Sequence, residues 1–110
     1  MNKYLRVLKQ IDKRMVAKGY KLTSVTDGEE QIISAKHTKT ELYEWATQCD
    51  MATMTYRTIE DNAKKVTFYL IYGNSMEETI YDMGYNNEQA SIDAEQIADE
   101  ISEMYSKVNY

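Results

Sequence analysis

The stretch Val66-Thr67-Phe68-Tyr69-Leu70-Ile71-Tyr72 constrains the fold more than any other part of this chain. Alternation puts Val66, Phe68, Leu70 and Tyr72 on one side and Thr67, Tyr69 and Ile71 on the other. Both sides are largely apolar or aromatic, so the segment reads as a strand flanked by others, central to a sheet. Gly73-Asn74-Ser75 ends it. A sheet with such a strand needs neighbours and at least one covering layer. The rest of the sequence must therefore supply strands that pair with it and helices that cover it.

The helices are legible from their period. Tyr4, Leu8, Ile11 and Met15 form one apolar stripe over residues 3–18, with Lys3, Arg6, Lys9, Lys13 and Arg14 broadly opposite. Gly19 fits the left-handed position just past a helix end. Thr38-x-x-Glu41 is a capping box that opens a second helix over 38–49, with Leu42, Trp45, Ala46 and Cys49 as its stripe. A third helix spans 93–107: Ala94, Ile97, Ile101, Met104 and Val108 face inward, and Asp93, Glu95, Asp99, Glu100 and Glu103 form a wet face. Asp93 near its start and Lys107 near its end suit the helix dipole.

Strands fill the intervals. Residues 20–26 and 29–36 flank Asp27-Gly28, which predicts a two-residue hairpin turn. Ala52, Met54 and Tyr56 alternate with threonines, and Glu60 to Lys64 turns the chain towards Val66. Residues 79–85 read either as a further strand, with Tyr81, Met83 and Tyr85 alternating, or as a segment that begins with a helical turn capped by Ser75. The order is α-β-β-α-β-β-β-α. It predicts an α+β fold in one domain over residues 1–110, with an antiparallel sheet of four to five strands and three helices on one face.

Composition narrows the setting. With 110 residues, 43% apolar and 28% charged, the chain can bury one core without staples. One cysteine, Cys49, excludes an internal disulfide and suits a reducing, cytoplasmic compartment. No segment reads as a secretory leader or a membrane span.

Charge is distributed unevenly. Residues 1–21 carry seven basic side chains and one acid, Asp12, whereas residues 22–110 carry six basic and seventeen acidic groups. Between Val66 and Ser106 stand nine acids and no base. A solvated acidic surface explains this pattern, and so does a face that docks on a basic partner.

Groups suited to catalysis are few. His37, the one histidine, precedes the capping threonine, and Cys49 sits on an apolar stripe. The cluster Glu77, Glu78 and Asp82 fits no calcium-loop spacing. There is no phosphate-binding glycine loop and no nucleophile elbow. The expectation is a protein that is not an enzyme, with no cofactor and no metal. The ten tyrosines suit wet core edges and interfaces, and Tyr69, Tyr81 and Tyr85 lie within or beside the acidic stretch. Carboxylates around aromatic rings can imitate the charge and stacking surface of nucleic acid.

The run Val66 to Ser75, followed by Glu77, Glu78, Ile80, Tyr81 and Asp82, resembles small uncharacterised proteins of bacteriophages and plasmids. The likeness spans residues 66–85 and carries no activity with it. It implies an accessory protein of a phage or mobile element, working in a bacterial cytoplasm.

On this reading the chain binds and inhibits a host protein that handles nucleic acid or serves defence, such as a CRISPR, restriction or DNA-repair component. Glu77, Glu78, Tyr81, Asp82, Tyr85, Asp99, Glu100 and Glu103 are its expected contact residues, chosen for charge and exposure. The alternatives are a nucleic-acid module using Arg6, Lys9, Lys13 and Arg14, or a structural, oligomeric accessory protein, including a homodimer.

Overall fold

The fold follows from how three amphipathic helices cover one antiparallel sheet. A computed structural model describes residues 3–27, 31–33, 37–48, 50–60, 63–73 and 75–106. Among them are the helices α1 (Lys3–Ala17), α2 (Lys39–Ala46) and α3 (Glu88–Ser106), and the strands β1 (Tyr20–Thr26), β2 (Gln31–Ile33), β3 (Met51–Thr58), β4 (Lys65–Ile71) and β5 (Ile80–Tyr85). The sheet order is β2-β1-β3-β4-β5, with every neighbour antiparallel. The α-β-β-α-β-β-β-α order is therefore the one read from the sequence. No helix among the described residues is long and apolar enough to cross a membrane.

Alternation decides the layers. Tyr20, Leu22 and Val25 of β1, Ala52, Met54 and Tyr56 of β3, and Val66, Phe68 and Leu70 of β4 are buried. They form one core with Val7, Leu8, Ile11 and Met15 of α1, Leu42 and Ala46 of α2, and Ala94, Ile97 and Ile101 of α3. α1 lies between α2 and α3 and touches both. The opposite sheet face carries Lys21, Ser24, Thr53, Thr55, Arg57 and Tyr69, all exposed or half-buried, and no described helix covers it. β4 has a neighbour on each side, yet its second apolar face is turned away from the helices.

Several local expectations shift. Thr26 pairs with Gln31, so positions 27–30 connect β1 to β2, and a two-residue turn is excluded. The uneven alternation of β1 is a bulge: Leu22 pairs with Tyr56 and Ser24 with Thr55, leaving Thr23 over. Thr38 caps α2 through the full capping box, but the helix ends at Ala46 and Cys49 lies outside the described residues. α3 starts five residues before the predicted Asp93, because the Asn87 carboxamide accepts the Ala90 N–H at 2.8 Å. Its inner stripe ends on Tyr105; Met104 is 36% exposed, and Lys107 and Val108 lie outside the described residues.

Two carboxylates are inside the core. Asp12 of α1 is 4% exposed and Asp93 of α3 is 8% exposed. Asp12 accepts the Tyr56 hydroxyl at 2.9 Å and the Lys39 ammonium at 2.7 Å. Asp93 accepts the Tyr20 hydroxyl at 2.7 Å and the Gln89 amide at 3.2 Å. Asp93 thus leaves the wet face assigned to it from the sequence. Burial, reinforced by the adjacent carboxylate, pushes the phenols of Tyr20, Tyr43 and Tyr56 well above their ordinary value.

These contacts generate two predictions. Tyr20→Phe and Tyr56→Phe each strip a donor from a buried carboxylate and destabilise the fold by about 1–3 kcal/mol in urea unfolding. For the raised phenols, the stabilising contribution is complete below their unfolded value of about 10 and is lost as pH climbs towards the folded values. Stability therefore falls above about pH 10, and three of the ten tyrosines ionise at 295 nm only as the chain unfolds.

Candidate functional site

Eight residues were expected to share an acidic surface, and the fold sorts them into groups. The sorting begins where β4 ends. Ser75 opens a single 3₁₀ turn, Met76–Glu78, which leads into β5, so the segment is first turn and then strand. Met76 is buried beneath it, and the Thr79 hydroxyl donates to the Met76 carbonyl at 2.8 Å. This tight connection presents Glu77 and Glu78 at the sheet's end.

α3 passes beside the same end. Between it and the turn lies a cleft of about 520 Å³, lined by Ile71, Glu77, Glu78, Ile80, Tyr81, Ala98, Asp99, Ile101 and Ser102. Ile71, Ile80, Ala98 and Ile101 supply apolar wall, and Glu77, Glu78 and Asp99 supply negative charge. Tyr81 is 51% exposed because a bulge sets it apart: Tyr69 pairs with Asp82 and Leu70 with Ile80. Its ring meets that of Tyr69 at a centroid distance of 6.3 Å. Four of the eight expected residues, Glu77, Glu78, Tyr81 and Asp99, therefore line one cleft.

The other four do not line it. Asp82 turns its carboxylate on the neighbouring backbone, accepting the Met83 N–H at 2.8 Å. That caps an amide of the edge strand, a usual way to blunt an edge. Tyr85 pairs with Val66 at the far end of β5 and borders a depression shared with Lys65. Glu100 is bound to Arg14 at 3.1 Å and to the Gln96 amide at 3.2 Å. Glu103 is exposed on α3, outside the cleft lining. The nine acids from Val66 to Ser106 thus form no continuous sheet of charge: Asp93 is buried, Glu100 is paired, Asp82 caps an edge, Glu77, Glu78 and Asp99 gather at the cleft, and Glu88, Glu95 and Glu103 are exposed away from it.

The alternative basic set is also reduced. Arg6, Lys9 and Lys13 are exposed on α1, but Arg14 is held by Gln10 and Glu100. No free ring accompanies them. The Tyr4 ring packs, tilted, against that of Tyr72 at a centroid distance of 4.9 Å, and its hydroxyl accepts the Gly73 N–H at 2.8 Å. His37 stands 3.5 Å from Glu41 beside the α2 cap, in the capping region where the sequence placed it. Hydrogen bonds from Thr38 hold the Glu41 carboxyl below its usual range. Among the described residues, no three metal-ligating side chains converge.

The cleft's apolar wall escaped the sequence reading. Its signal was present: Ala98 and Ser102 stand one turn apart on α3, small enough to leave room beside Asp99. No protein family, no curated protein and no solved structure matches this chain, so the geometry alone carries the functional reading.

The edge cap can be tested. In Asp82→Ala the Met83 amide loses a charge-assisted acceptor, and its hydrogen exchange quickens by about tenfold. Unchanged exchange at Met83 would remove Asp82 from this role.

Proposed function

We propose that this chain works by binding, without catalysis, and that the cleft between the 3₁₀ turn and α3 receives a basic segment of a partner protein. The observation that carries this reading is the convergence of Glu77, Glu78 and Asp99 around an apolar wall. A lysine or arginine has matching halves, an aliphatic stem and a cationic head. The stem lies on Ile80, Ala98 and Ile101 while the head meets the rim carboxylates. Tyr81, half-exposed at the rim, offers a ring face for a cation.

The partner that best fits is a protein that presents a basic, nucleic-acid-contacting segment, as nucleic-acid-handling and defence proteins do. Sequestering that segment would inhibit it, which is the expected work of a phage or mobile-element accessory protein. Charge steering would speed the encounter and make it sensitive to salt.

A fluorescent peptide of alternating lysine and leucine tests the site without a known partner. The expected result is binding that weakens as salt rises to about 0.5 M. The variant Glu77→Lys/Glu78→Lys/Asp99→Lys should lose about tenfold or more in affinity. The control Glu41→Lys/Glu44→Lys, on α2, should bind as the wild type does. Equal losses in both variants would show that net charge, not the cleft, attracts the peptide.

A further inference from the structure

The uncovered face of the sheet carries a second pattern, assembled from three strands. Lys21 pairs with Arg57 and Arg57 with Lys65, so three cations stand in one row across β1, β3 and β4. Strands lie about 4.8 Å apart, which places the row within about 10 Å. Neither lysine's ammonium has a partner among the described residues. The next row reads Ser24, Thr55, Thr67 and Gly84, and the one after it Thr26, Thr53, Tyr69 and Asp82. Cations, hydroxyls and then an aromatic ring follow one another along the face.

Two acids border this face at its other end. Asp82 already accepts the Met83 amide, and Asp27 lies beyond Thr26. At the cation end, Glu60 lines a depression of about 380 Å³ together with Lys18 and Lys64. Lys65, Thr67, Tyr69 and Gly84 line another of about 230 Å³. The three cations of the row stand on a chain of net charge -5.

We propose that this face binds single-stranded RNA. Lys21 and Lys65, on either side of Arg57, neutralise phosphates, and the hydroxyls of Ser24 and Thr55 donate to phosphate oxygens and exchange hydrogen bonds with 2′-hydroxyls. The Tyr69 ring takes an unpaired base, with Tyr81 beside it at 6.3 Å between centroids. A duplex hides its bases from such a ring, which makes the strand single. The face is separate from α1, where cations stand without a free ring.

Fluorescence anisotropy with labelled oligouridine of about twelve nucleotides tests the proposal. Binding should be strongest for this RNA, weaker for oligothymidine of equal length and weakest for an RNA duplex. Lys21→Glu/Lys65→Glu should lose about tenfold or more, and Tyr69→Leu about fivefold or more, with circular dichroism unchanged. Arg6→Glu/Lys9→Glu should retain nearly all of the affinity. No binding at low salt, a duplex bound as tightly as the single strand, DNA bound as tightly as RNA, or an equal loss in the α1 variant would each overturn it. So would a wild-type dimer in sedimentation that Lys21→Glu/Lys65→Glu dissociates, because the face would then hold a second copy.

Discussion

Two tyrosine hydroxyls donating to two buried carboxylates fix how the helices lie on the sheet. Tyr56 of β3 binds Asp12 of α1, and Tyr20 of β1 binds Asp93 of α3. An unpaired charge in the core is expensive, so each aspartate tolerates only the helix rotation that delivers it to its tyrosine. Successive helix residues differ by about 100°, and a slip of one position would lose both the hydrogen bond and the apolar stripe. The rotation of α3 set by Asp93 also aims Ala98 and Ser102 at the 3₁₀ turn, with Asp99 between them. The rotation of α1 set by Asp12 leaves Arg14 beside Glu100. The cleft is thus a consequence of the core.

Much of this was legible because it is local. The stripe of α1, the capping box of α2 and the alternation of β3 each need only a few adjacent residues, and each appears where the sequence put it. The parts that escaped depend on partners far along the chain. Asp93 looked like one more wet carboxylate, and its tyrosine is 73 residues away. Asp12 sits among lysines on a basic helix, and Tyr56 is 44 residues distant. The bulges at Thr23 and Tyr81 shift every later side chain by one face, and period-two reading does not register them. Glu100 counted as an exposed acid until α1 brought Arg14 to it.

The candidate site divides in the same way. Charge and expected exposure singled out all eight acidic-surface residues alike; the fold brings Glu77, Glu78, Tyr81 and Asp99 to one cleft and directs Asp82, Tyr85, Glu100 and Glu103 elsewhere. It did not find the row Lys21, Arg57 and Lys65, since those residues are scattered over three segments and only strand register aligns them. A net charge of -5 conceals both patterns. The molecule is better described as polar along its sheet, with cations where β4 begins and carboxylates where it ends.

Chemical-shift mapping with the lysine–leucine peptide asks most directly whether the three carboxylates act as one site. One shared site requires that the largest amide perturbations fall on residues 76–81 and 98–102 and saturate together with a single affinity. Perturbations centred on Glu41 and Glu44 of α2, or spread evenly over every acidic segment, would contradict it.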